Sequence, residues 1–172
     1  LGLLADYQGT GHLLRAARRI MAQRDDIHLL IGGFPHLERY RGLARDLGIG
    51  DRVTFAGRVP YEHAPQFLSL GYVAVAPKLS ATEGAGKLLN YMAMALPSVT
   101  FDTEVSREYL GECGVYARRG DVVDLAEALE SLLADADRRA ELGASLRRRA
   151  QTRFSWGLAG RALEEIYRSA LS

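Results

Sequence analysis

The sequence predicts an α/β domain of three layers, a parallel sheet of about six strands between two layers of helices. Two observations carry that prediction. Apolar segments of four to six residues alternate along the chain with helical segments of ten or more, the pattern of repeated βαβ units. The candidate strands are continuous apolar runs, such as IHLLIGG at 27–33 and YVAVAP at 72–77, as expected of strands covered on both faces.

The elements follow in order. LGLL at the start reads as the end of a strand whose beginning is missing. Residues 9–23 carry Leu13, Leu14, Ala17, Ile20 and Met21 at helical spacing. A strand at 27–33 leads to a helix at 36–47, stopped by Gly48. RVTFAG (52–57) is a strand, Pro60 opens a short helix through Leu70, and 72–77 is a strand. A helix at 86–95, a strand at 96–101, a short helix at 104–111 and a short strand at 114–117 come next. Helices at 121–134, 137–150 and 156–170 close the chain. No internal repeat or linker interrupts this order, so residues 1–172 read as a single domain.

Composition narrows the function. A chain of 172 residues buries enough surface to need no disulfide or metal staple. A net charge of +1 gives no general attraction to nucleic acid or membrane, and no apolar run reaches a membrane span. The single cysteine, Cys113, excludes an intrachain disulfide and points to a reducing compartment, hence a cytoplasmic protein. The triple Arg147, Arg148, Arg149 fans around a helix and reads as a solvated helix end, not a nucleic-acid patch.

In a doubly wound sheet, ligands bind outside the carboxyl ends of the strands. Residues 2–9, 32–36, 57–61 and 77–87 are expected to gather there. The phosphate fingerprints of dehydrogenases and P-loop enzymes are both absent. LLADYQG follows the first strand in place of GxGxxG, and Leu88 follows Gly86-Lys87 where a P-loop needs Ser or Thr. His12, His28, His36 and His63 lack metal-ligand spacing, and no metal site is expected. His36 and His63 fall on loops at the ligand edge as candidate substrate contacts. One feature does stand out: Lys78 and Lys87 are the only lysines beside 20 arginines, and they flank the turn Glu83-Gly84-Ala85-Gly86. A glycine-rich turn beside a compact ammonium suits an anion such as a phosphate.

The order of several segments carries a resemblance. YQGTGHLLRAARRI, the stretch from HLLIGG to APKLS, GKLLNYMAMALPSVTFD, and the closing RFSW with its last helix resemble the C-terminal, donor-binding domain of group 1 (family 4) retaining glycosyltransferases. The likeness covers essentially the whole chain. It implies a Rossmann-like fold that is one half of a GT-B enzyme, with an N-terminal acceptor domain as its partner. It implies that the chain binds a nucleotide-diphosphate sugar of UDP or GDP type as substrate, with no cofactor. The implied reaction is hexosyl transfer with retention to a glycan, lipid or small-molecule acceptor. Localisation would be cytoplasmic, or peripheral at the inner membrane face through the N-terminal domain. The fold also admits a nucleotide-sugar epimerase or a degenerate nucleotide-sugar-binding module.

Carried over residue by residue, the resemblance assigns Gly33, Arg58, Val59, Lys78, Gly84, Gly86, Lys87, Leu88 and Asn90 to the nucleotide sugar. Gly84, Gly86 and Leu88 would offer backbone N–H groups to the diphosphate, and the loop of Arg58 and Val59 would face the base. Asn90 stands where many members carry a ribose-binding glutamate. Glu83 and Lys87 are the candidate catalytic residues, although an ungapped match on Tyr-Met-Ala puts Thr82 where the family has the first acid. The sequence also departs from the family after the first strand. Leu3 and Gln8 replace an arginine and a lysine that clamp the diphosphate, and Lys87, with Lys78, is expected to replace their charge.

Overall fold

A computed structural model describes residues 1–171. Six strands form two three-stranded parallel sheets. The first has the order β1–β2–β3, with β1 Gly2–Leu3, β2 Leu29–Phe34 and β3 Val53–Gly57. The second has the order β4–β5–β6, with β4 Ala74–Ala76, β5 Ser98–Phe101 and β6 Val115–Ala117. The expected single sheet is therefore divided between β1 and β4. β1 pairs with β2 through Gly2↔Gly33 and Leu3↔Phe34. A cavity of about 260 Å³ is lined by β1, β2 and β4 together with Leu13, Ala17 and Ile20 of α1 and the segment that precedes β4.

Helices α1 (Thr10–Met21), α2 (Leu37–Asp46), α3 (Ala64–Leu68), α4 (Lys87–Ala93), α5 (Glu104–Leu110), α6 (Val122–Leu133) and α7 (Ala136–Arg153) cover the sheets. α1 packs against α2 and α6, whereas α4 packs against α5 and α7. Strand β5 shows how its residues serve the two layers. Val99 and Phe101 join Ala16, Ile20, Leu125 and Leu129 in one core. The alternate residue Thr100 donates to the Ala76 carbonyl and meets Ser106 of α5, as a period of two requires. Helix α1 ties the sheets together, because Leu14, Ala17 and Met21 pack with Ile31 of β2 while Ala16 and Ile20 pack with β5.

Helix ends follow their local chemistry. Asp121 accepts from the N–H groups of Val123 and Asp124 at the start of α6, and Thr103, Asp135 and Ser155 cap α5, α7 and the last helix α8 (Trp156–Ala170) in the same manner. α8 is amphipathic and stands apart from the core: Trp156 is 92% exposed, and Leu163, Ile166 and Tyr167 share its uncovered side. No helix among the described residues is long and apolar enough to cross a membrane.

Candidate donor-binding site

The four segments expected at the carboxyl edge do meet there, and glycines permit the closest approaches. Gly33 lies against the Gly2 carbonyl and Gly9 against the Pro77 carbonyl; a Cβ at either place would overlap that oxygen. Gly9 also has φ +75°, the left-handed region that glycine enters most cheaply. The 3-10 turn Asp6–Gln8 is joined to the β4–α4 loop by the Leu79 N–H donating to the Tyr7 carbonyl at 2.8 Å. On the β2–β3 side, the Arg58 guanidinium lies 4.8 Å from the Phe34 ring centroid, forming an exposed cation–π shelf. Val59 approaches Gly32 behind it.

The two lysines occupy different environments. Lys78 is 7% exposed, and its Nζ donates to the carbonyls of Glu83 (3.0 Å) and Gly84 (2.7 Å) and pairs with the Glu83 carboxylate (2.7 Å). It staples the loop that precedes α4. An ammonium has three donors, so Lys78 has none to spare for a phosphate in this arrangement. This corrects the expectation of a direct phosphate contact and gives Lys78 a positioning job. Glu83 is correspondingly turned toward Lys78, with about half of its side chain exposed.

Lys87 is half-buried at the first residue of α4. Its Nζ donates to the side-chain carbonyl of Gln8 at 2.6 Å and lies close to Gly2. It has no carboxylate partner among the described residues. Burial lowers its pKa from 10.5 to about 8; the positive charge of Lys78 adds to this and Glu83 opposes it. A buried cation whose hydrogen-bond partner is neutral leaves its charge uncompensated, which is costly until an anion arrives.

The remaining assigned residues divide clearly. The N–H groups of Gly84 and Gly86 make no hydrogen bond among the described residues, both glycines are exposed, and the space above Gly86 is open. The Leu88 N–H, by contrast, is spent on the Ala85 carbonyl at 2.8 Å and its side chain is fully buried. Leu88 therefore leaves the set of expected phosphate donors and belongs to the core. Asn90, half-buried, has no side-chain partner among the described residues. His36 begins α2 in the left-handed region at φ 62°, and His63 lies in the turn before α3. Sequence reasoning missed the ion pair of Asp6 with Arg39 (2.9 Å), joined by the Tyr40 hydroxyl, at the rim of the same edge. Hydrogen bonding from Arg39 holds the Asp6 carboxyl below its usual range.

The profile of the glycosyl transferases group 1 family matches residues 1–135. The chain belongs to that family. It is 29% identical to a GDP-mannose-dependent α-(1-6)-phosphatidylinositol monomannoside mannosyltransferase of Mycolicibacterium smegmatis, over 96% of this chain and 46% of that protein. It is 31% identical to a D-inositol 3-phosphate glycosyltransferase of Corynebacterium kroppenstedtii, over 99% of this chain and 40% of that protein. Its fold matches the crystal structure of Anabaena Alr3699/HepE in complex with UDP-glucose at a TM-score of 0.86 and 17% identity, covering 98% of this chain and 48% of that one. The chain spans less than half the length of the mannosyltransferase and the inositol 3-phosphate glycosyltransferase that it matches.

One consequence of the Lys78 staple is measurable. Lys78→Met removes the donors of two loop carbonyls but keeps the stem's bulk. The loop 80–86 should exchange its amide hydrogens faster, with the β5 and β6 amides unchanged. Unaltered exchange in the loop would show that the staple does not hold it.

Proposed function

We propose that this chain is the donor-binding half of a retaining glycosyltransferase that takes a nucleotide-diphosphate hexose. The observation that carries the reading is Lys87: a half-buried ammonium with only a neutral partner, where the loops of β1, β2 and β4 converge. The diphosphate of the donor supplies the missing negative charge. Lys87 then neutralises the charge that develops on the leaving nucleoside diphosphate as its bond to the anomeric carbon breaks, with the open N–H groups of Gly84 and Gly86 beside it. The Arg58–Phe34 shelf offers a flat surface for the base, and Asn90 offers one acceptor and two donors to the ribose diol. An N-terminal domain closes over the donor and brings the acceptor, a glycan, lipid or small molecule. The names of the relatives cover both GDP-mannose and UDP-glucose, so both donors belong in the test.

Thermal unfolding with UDP, GDP, UDP-glucose and GDP-mannose tests this reading. A ligand at 100 times its Kd stabilises by about 2.7 kcal/mol, which raises Tm by roughly 5–10 °C for a domain of this size. One nucleotide series should do so. The loss of the usual Arg and Lys, with Leu3 and Gln8 in their places, favours a second reading, a binding module without catalysis. Ligand-induced stabilisation combined with no transfer by the enzyme containing both domains would select it, and no stabilisation by any of the four would overturn both readings.

A further inference from the structure

We propose that Gln8 is a positioning residue, whose side-chain carbonyl aims the Lys87 ammonium at the donor's diphosphate. The inference rests on the donor-binding reading above and adds a residue through which Lys87 acts.

The geometry is specific. Gln8 is 9% exposed, and its carbonyl accepts the Lys87 Nζ at 2.6 Å, the short distance of a charge-assisted bond. The backbone that delivers Gln8 is tied down on both sides. The Gln8 N–H donates to the Ala5 carbonyl at 3.0 Å, and Tyr7 holds the Leu79 N–H. Gly9 then turns the chain against Pro77. The amide is therefore a fixed hydrogen-bond acceptor, while Lys87 is a flexible side chain that reaches it from α4. A carboxylate here would quench the ammonium and compete with a phosphate, whereas an apolar side chain would leave the charge without an acceptor. A neutral carbonyl orients the ammonium and leaves its charge for the ligand.

The charged groups around Lys87 are few. Lys78 and Glu83 act from the β4–α4 loop. Gln8 is the group that touches Nζ, and its replacement should shift the titration of Lys87 directly.

Because the chain has only two lysines, ¹³Cε-lysine labelling gives two resonances that a pH titration follows separately. In the wild type the Lys87 signal should titrate near pH 8. Gln8→Leu should move its midpoint roughly one pH unit lower, the effect of losing one acceptor from the charged form. Gln8→Glu, of nearly the same shape, should move it upward. Saturating UDP-glucose or GDP-mannose, whose phosphates do not titrate in this range, should also move it upward in the wild type. Their affinity should fall in both variants at pH 7.5, because one discharges Lys87 and the other quenches it.

A Lys87 midpoint that is the same in wild type and both folded variants would overturn the assignment of Gln8. Midpoints that move with Gln8 while neither sugar nucleotide perturbs Lys87 would overturn the donor-binding reading instead. Unfolding curves of the variants show that each is folded during the titration.

Discussion

Lys87→Met lowers the affinity for the sugar-nucleotide donor by roughly tenfold to a hundredfold, the worth of one charge-assisted contact to a phosphate. The methionine keeps the apolar stem in place, so the change isolates the ammonium. The same substitution should not destabilise the unliganded domain. Burial lowers the Lys87 pKa to about 8 from 10.5, so between those values the unfolded chain binds more protons than the folded one. Stability therefore rises with pH through that window, because the fold is freed of a buried charge it does not pair. In Lys87→Met this rise disappears, and stability at pH 7 is equal to or higher than that of the wild type. Titration calorimetry with UDP-glucose and GDP-mannose, beside urea unfolding at pH 7 and pH 10, reads both effects. Unchanged donor affinity would remove Lys87 from the phosphate site.

Gly9→Ala has the largest expected structural effect. Gly9 has φ +75°, and a Cβ there would overlap the Pro77 carbonyl, which belongs to backbone and cannot swing aside. The left-handed conformation alone costs an L-residue about 1–2 kcal/mol. Gly48 provides the control, since it has φ +70° but nothing within 4 Å of an added Cβ. Gly48→Ala should therefore show only the conformational cost, about 2–8 °C in Tm for a domain of this size. Gly9→Ala should fall well beyond that and also weaken donor binding, because relieving the overlap separates the Gln8 turn from the β4–α4 loop. Equal losses in the two variants would show that the approach of Gly9 to Pro77 does not limit the fold.

Most of the fold was legible because its signals are local. Helices at 9–23, 36–47 and 121–134 were read from apolar spacing and are found at Thr10–Met21, Leu37–Asp46 and Val122–Leu133. The ends shift by a residue or two, as frayed ends do. The division of the sheet was not legible. Pairing between distant segments leaves no mark in the periodicity of either one.

The site was legible to the level of loops. The four segments that the carboxyl-edge rule singles out do meet in the structure, since the rule follows from βαβ chirality alone. The jobs of individual side chains were not. Lys78 and Lys87 look alike in the sequence, each beside the same glycine turn. One is consumed by the carbonyls of Glu83 and Gly84 and the other is met by Gln8. Leu88 has a backbone N–H like its neighbours, yet a turn bond to Ala85 had already claimed it.

The amino-acid order by itself determined the class of fold, its family and the segments that meet at the carboxyl edge of the strands. These depend on hydrophobic period, glycine positions and segment order, all properties of a chain read in one dimension. Tertiary structure alone decided which lysine is paired with a carboxylate and which meets only a neutral partner. That depends on a contact between residues 8 and 87, and the two are brought together only by the packing of the β1 and β4 loops around Gly9. Whether a buried ammonium meets a carboxylate, a carbonyl or an empty space is set by that packing, and the free energy of the charge follows from it.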